Sequence, residues 1–312
     1  MEYKHGVYTR EQATSLVPMT ATSGGLVVAF GTAPIHLAQT AAAVNTPVLC
    51  YSYKEAVAAF GYSEDWENYT LAEVIKTHFA LFNMAPLVLV NVLDPEKHKK
   101  SVKDKQVDVK GGIVTVADPV VLSTLEVKLT AAHQKLVLNT DYTAAYAAGQ
   151  VVITPMDGGG IPSGTANLCL SYTALNPAAV KAVDIIGGVN AATNRTEGLE
   201  LIDEVFPRFG LVPGIIIAPS WSHDAGVAAV MKAKEHNICG HFNAISICDI
   251  PTDEVKAYTA ASKWKNEKSA ADKDCILCWP LVKQGKEKYH LSAQIASLMN
   301  RIDSEHDDIP YY

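Results

Sequence analysis

Residues 211–251 read LVPGIIIAPSWSHDAGVAAVMKAKEHNICGHFNAISICDIP. Ile215, Ile216, Ile217 and Ala218 form an unbroken apolar run between Gly214 and Pro219, the pattern of a strand buried on both faces. Ser222 is placed to cap a following helix, and Asp224 puts a negative charge in its first turn, where the helix dipole favours one. Val227, Val230 and Met231 recur at helical spacing; Lys232, Lys234 and His236 fill the last turn, and Asn237 can close it. A second apolar run follows at residues 244–248. Strand, helix and strand over about 35 residues predict a right-handed βαβ unit in a mainly parallel sheet. This fixes a fold class and carries no chemistry.

Outward from this unit the same alternation continues. Residues 26–31 (LVVAFG), 47–51 (PVLCY) and 86–93 (PLVLVNVL) read as buried strands. Residues 54–60 and 71–82 read as helices, the longer one with Leu71, Val74, Ile75, His78 and Phe82 on one face. Residues 196–206 predict a helix stopped by Pro207, with Leu199, Ile202, Val205 and Phe206 inward. Thr252 is expected to cap a helix presenting Val255, Tyr258, Ala261 and Trp264. A strand at 275–279 and a helix at 292–302, with Ile295, Leu298, Met299 and Ile302 inward, complete the pattern.

Between Asp94 and Pro177 the character changes. The short runs GGIVTV, TLEVKL, KLVLN, QVVIT and NLCLSY are separated by Gly, Asn and Asp turns, and no good helix appears. The expected architecture is therefore an α/β body, with a mainly parallel or mixed sheet and flanking helices, formed by residues 21–93 and 178–312. An inserted all-β domain, sandwich or barrel, occupies 94–177, and residues 1–20 form an extended arm. The chain is multi-domain and α+β overall. In the arm, Tyr3, Val7 and Tyr8 lie among polar neighbours and need a strand to pair with.

Composition excludes several function classes. The net charge is −7, and the lysines at 97–105 and 263–273 are mixed with Asp and Glu, so no basic stripe suits nucleic acid. No apolar run approaches the ~18 residues of a membrane span. The N-terminal MEYKHGVYTREQ lacks the apolar core of a signal peptide, which predicts cytoplasmic synthesis. Most of the six cysteines fall in apolar strands, where reduced thiols act as small hydrophobes.

Three clusters invite a chemical reading. The glycines from Asp157 to Gly164 lack the lysine and following helix of a phosphate loop and read as a turn. Ser220, His223 and Asp224 are triad-type residues, but the sequence Ala218-Pro219-Ser220-Trp221-Ser222 lacks the glycines of a nucleophile elbow, and neighbours this close rarely converge on one atom. Helix capping is the simpler reading; a small-molecule or enzymatic site in this loop, at the carboxyl end of a buried strand, is the alternative. Cys275 and Cys278 lie in a predicted strand, which sends them to opposite faces. No histidine spacing suggests a metal, and no cofactor is expected.

Several stretches resemble the sheath proteins of contractile phage tails and related injection machines. They are MEYKHGV at 1–7, Phe30-Gly31-Thr32-Ala33-Pro34, Leu138-Asn139-Thr140-Asp141-Tyr142 and Asp184-Ile185-Ile186-Gly187-Gly188. The series continues through GLVPGIIIAP at 210–219, Cys278-Trp279-Pro280 and Asp307-Asp308-Ile309-Pro310-Tyr311. The resemblance implies a non-enzymatic virion tail subunit, assembled in the bacterial host cytoplasm as six-fold rings stacked into a helical sleeve. It implies contacts with further sheath copies, the tail tube, baseplate and tail terminator proteins. Contraction of the sleeve would drive the tube through the target envelope. The arm bearing Tyr3, Val7 and Tyr8 would add a strand to a neighbouring subunit. Family members continue past the position of Tyr312 into a tube-facing domain, so the chain is expected to be an N-terminal fragment or a shortened relative, with an unpaired arm and a monomeric state.

Overall fold

The computed structural model describes residues 20–21, 25–268 and 272–307. The arm positions Tyr3, Val7 and Tyr8 lie outside the described residues. The βαβ unit is present: strands Pro213–Ile217 and Ile245–Asp249 pair in parallel, with Ile216 beside Ser246, and helix Ala225–Ala233 connects them. They belong to a six-stranded sheet whose spatial order is Cys275–Cys278, Ile245–Asp249, Pro213–Ile217, Leu26–Gly31, Leu87–Asn91 and Val48–Cys50. Every pairing is parallel except that of the last strand, which runs antiparallel to its neighbour. Chain order reverses between Leu26–Gly31 and Pro213–Ile217, so loops leave their carboxyl ends in opposite directions and open a crevice there.

Helix Thr70–Ile75 packs on Leu26–Gly31 and continues as the wider π-helical turns Lys76–Leu81, against which helix Leu291–Glu305 lies. Inside this contact His78 is fully buried. Its Nδ1 is 3.2 Å from Ser297 Oγ and its Nε2 3.3 Å from the Pro86 carbonyl. Burial pushes its pKa down to about 4, so the neutral ring donates to Pro86 and accepts from Ser297.

The inserted β region is two three-stranded antiparallel sheets. Strands Val114–Val116, Gln150–Pro155 and Tyr142–Ala147 form one; Lys99–Asp108, Asn167–Leu175 and Glu126–Lys128 form the other. They share a core that includes Val114, Val127, Val151, Ile153, Leu168 and Leu170. Two chain segments connect this core to the body. At that neck the Asn176 N–H donates to the His98 carbonyl at 2.8 Å, and the Asp94 N–H donates to His98 Nδ1 at 3.0 Å. Lys97 pairs with Asp184 of the short helix Ala182–Ile186, and His98 Nε2 lies 3.4 Å from the same carboxylate. Beside the neck, His36 of the body contacts Tyr146 of the insert edge to face, with ring centroids 5.7 Å apart.

Several expectations are corrected. Pro207 does not stop a helix: a 3₁₀ segment Gly198–Glu204 leads into helix Val205–Phe209, and Pro207 sits in its first turn, where a missing N–H costs nothing. Phe206 is not inward but lies partly exposed against Phe242. The helix expected after Thr252 begins instead at Tyr258, which is 77% exposed, while residues 251–255 form a separate turn. The last helix turns Met299 inward as expected and packs Ile295 on the core, but Leu298 is exposed. Most of its buried face is small or polar, with Ala293, Ala296, Ser297, Asn300 and Asp303, and the Asn300 and Asp303 side chains lie against Gly25. KLVLN is not a strand; Val137 and Leu138 are exposed in a turn held by Asp141. The lysine-rich run at 97–105, where no strand is expected, lies largely in an edge strand, Lys99–Asp108, with its lysines exposed.

Gly187 at φ +72° crosses Gly198 at φ +62°, and a Cβ on Gly187 would overlap the Glu197 carbonyl. Gly187→Ala is expected to destabilise the fold by about 3 kcal/mol or more, strain plus overlap. Gly158→Ala, equally left-handed but in open space, should cost only about 1 kcal/mol; urea denaturation of the two variants checks the difference.

His36 gives a pH prediction. Burial pushes its pKa down to about 4, so the unfolded chain binds the proton first, and stability falls as pH drops from roughly 6.5 towards 4. His36→Phe keeps the ring contact and removes the titration. Its melting temperature should exceed that of the parent below about pH 6 and match it in mild alkali; equal acid sensitivity in both proteins would assign that loss elsewhere.

Candidate functional site

The carboxyl edge of the sheet gathers the polar groups of the body. Strand Pro213–Ile217 ends in Ala218-Pro219-Ser220, and Ser220 takes a left-handed backbone conformation at φ 64°. The amides of Trp221 and Ser222 both donate to the Ala218 carbonyl, at 3.0 and 2.8 Å, closing a tight turn ahead of the helix. That turn aims Ser220 Oγ at His290 Nε2, 3.1 Å away. His290 Nδ1 lies 2.8 Å from Glu73 Oε2, and the His290 backbone N–H donates to Glu73 Oε1. Ser220, His290 and Glu73 thus form a hydroxyl–imidazole–carboxylate relay.

The next strand end supplies a second carboxylate. Asp249 accepts from the Ser292 N–H at 3.0 Å and from Ser292 Oγ at 2.5 Å, and its own N–H donates to Ser222 Oγ at 3.0 Å. Ser222 is therefore a tie between strand ends and not the helix cap. The cap is Asp224, whose Oδ1 accepts from Gly226 and Val227 at 2.8 and 3.1 Å. His223 is exposed and meets neither Ser220 nor Asp224, so the three residues that are close in sequence do not converge.

Electrostatics sets what this relay can do. Burial works against protonation of His290, but the Glu73 hydrogen bond and the charges of Glu73 and Asp249 outweigh it and hold its pKa above the ordinary value. Asp249 is pushed up, chiefly by burial, with the His290 charge and Ser292 hydrogen bonds opposing. A protonated His290 donates from both nitrogens, so Ser220 Oγ is an acceptor there and the ring cannot take its proton. The two amides nearest Ser220 are spent on Ala218, which leaves them unable to stabilise an oxyanion. A cavity of about 210 Å³ touches His290 and Asp249, but Ser220 is not in its lining. Geometrically the relay is a tie: it joins helix Thr70–Ile75, the Ser220 turn and the start of the last helix.

The other clusters are structural as well. Residues 156–165 form turns, with Asp141 Oδ1 accepting from the Gly160 N–H at 2.7 Å. Cys275 and Cys278 are free thiols in an edge strand.

No family model matches the chain. A tail sheath protein of Burkholderia phage BcepMu is 29% identical to it over 313 residues, which cover 96% of this chain. The chain is thus similar, over nearly its whole length, to a phage tail sheath protein. The resemblance carried by the short motifs thus extends across nearly all of its length. The chain spans 62% of the length of that sheath protein.

The relay yields a prediction for this chain. Glu73→Gln leaves His290 without its counter-charge and should cost about 3 kcal/mol or more at neutral pH. Because the folded pKa of His290 is raised, its contribution is complete below the unfolded value near 6.5 and fades as pH rises through the folded pKa. The stability gap between the parent and His290→Gln, measured by urea melts, should be largest at roughly pH 5–6 and narrow in alkali. A gap that widens with pH would contradict a charged His290.

Proposed function

We propose that this chain forms the body of a contractile-sheath subunit. The observation that carries the reading is collinear similarity to a tail sheath protein over 96% of the chain. In this reading the chain divides into an arm at 1–20, a discontinuous α/β body at 21–93 and 178–312, and an inserted β domain at 94–177. In this reading six copies form a ring and rings stack into a sleeve around the tail tube, ending at baseplate and terminator proteins. The subunits are made and assembled in the bacterial cytoplasm, and the mature particle carries them in its tail. Tyr3, Val7 and Tyr8 act as strand-adding contacts to a neighbouring copy. The work of contraction comes from a small packing gain per subunit summed over many copies, which requires neither a nucleotide nor a catalytic residue. Exposed apolar side chains on the body, Val183, Val189 and Tyr258, are suited to contacts between copies.

Negative-stain electron microscopy of the full product of the gene, expressed alone and with a tail tube protein, tests this. Tubes or rings of six-fold symmetry are expected; a strictly monomeric product under both conditions would overturn the reading.

The Ser220–His290–Glu73 relay favours one second reading, a serine hydrolase. A fluorophosphonate probe decides it. Because the Glu73 and Asp249 charges favour the protonated form of His290 and the amides nearest Ser220 are spent on Ala218, the parent and Ser220→Ala should be equally unlabelled. Labelling of the parent alone would establish the hydrolase.

A further inference from the structure

A different cluster lies at the far edge of the sheet, away from the relay. Glu235 and His236 follow helix Ala225–Ala233, and Asp274 immediately precedes the edge strand Cys275–Cys278. One donor atom from each of the three lies within 4.8 Å of the others. His236 Nε2 is 3.3 Å from Asp274 Oδ2. Glu235 is completely buried. Its Oε1 accepts from Ser246 Oγ, while its Oε2 is buried with no hydrogen-bond partner among the described residues. A buried carboxylate oxygen without a donor is costly, and a counter-charge removes the cost.

We propose that Glu235, His236 and Asp274 form a binding site for a divalent transition-metal cation of the Zn²⁺ type. One imidazole and two carboxylates are a donor set suited to zinc, cobalt or manganese, whereas magnesium and calcium favour oxygen alone. Three protein ligands leave room for water on the open side, where His236 and Asp274 are partly exposed. Two ionised carboxylates balance the charge of one divalent ion. The end of a helix, with its partial negative charge, also favours a cation. Lys273, 3.2 Å from Asp274 Oδ2 on an 82% exposed side chain, is the cation the metal would displace. Bound there, the ion clamps the edge strand to the helix end that precedes its neighbouring strand.

The test is calorimetric titration of the chelator-treated protein with ZnCl₂, with thermal melts alongside. One ion per chain is expected, with a rise in melting temperature. Affinity should fall by about tenfold or more in His236→Ala and in Glu235→Gln. His236 is about half exposed, so its variant should fold even where the Glu235 variant does not. Cys248 and Cys275 are close to Ser246 and offer competing thiols, so Cys275→Ser is the control and should bind as the parent does. Absence of uptake, uptake undiminished in His236→Ala, or loss confined to Cys275→Ser would each overturn the assignment.

Discussion

One imidazole between two buried carboxylates sets the position of the last helix, and with it the closure of the body. Glu73 comes from a helix and Asp249 from a strand end, and each would cost several kcal/mol if left unpaired in the interior. Both are satisfied by the same short segment. His290 offers its ring and backbone N–H to Glu73, and Ser292 offers its hydroxyl and N–H to Asp249. The first amides of a helix have no partner within it, and the dipole makes that end positive. Carboxylates and helix start therefore answer each other's deficits. With its beginning fixed by charge, the helix can lie close along the sheet on Ala293, Ala296 and Ser297, which accounts for a buried face made of small and polar residues.

That arrangement explains which parts of the structure were legible in the sequence. Continuous apolar runs such as Ile215-Ile216-Ile217 announce strands because both of their faces are buried; the sheet and most of its helices follow from such local signals. The face of the last helix followed only in part: apolar periodicity found Met299 and Ile295 but also pointed to Leu298, which is exposed, while the buried Ser297, Asn300 and Asp303 carry no apolar signal. The relay was equally hidden. Its members come from residues 73, 220 and 290, and only tertiary folding joins them. Grouping Ser220 with His223 and Asp224 failed for the converse reason: neighbours at a helix start point in different directions. The available signal was chemical and local, a histidine directly before a helix with a serine two residues later, and an aspartate ending an apolar strand. The metal-type cluster was missed for the same cause, because Asp274 reaches Glu235 through sheet pairing with Ser246, whose N–H donates to the Asp274 carbonyl at 3.1 Å.

The residues that carry the sheath resemblance act on the backbone. Asp141 accepts from the amides of Val137 and Gly160 and closes two turns at once. Asp184 accepts from the Lys181 N–H and also holds Lys97. Gly187 exists where two chain segments cross too closely for a side chain. Such residues fix joints between chain segments. A motif set made of joints reads as weak chemistry in a sequence for a physical reason, since its work is geometric.

The neck shows how far that logic extends. The inserted β region meets the body through the two connecting segments, the His36–Tyr146 contact and the packing of Val121 on the body's core. The segments are joined to each other by the Asn176 to His98 hydrogen bond and to the body by the Lys97–Asp184 pair. Asp184 belongs to helix Ala182–Ile186, which packs on helix Ala225–Ala233, the connection between two central strands. The first connecting segment leaves strand Leu87–Asn91, next to the last strand of the sheet, while the Lys97–Asp184 pair ties the neck to the helices over the two central strands. Rupture of the Lys97 contact alone would leave the His98 hydrogen bonds and the aromatic contact in place.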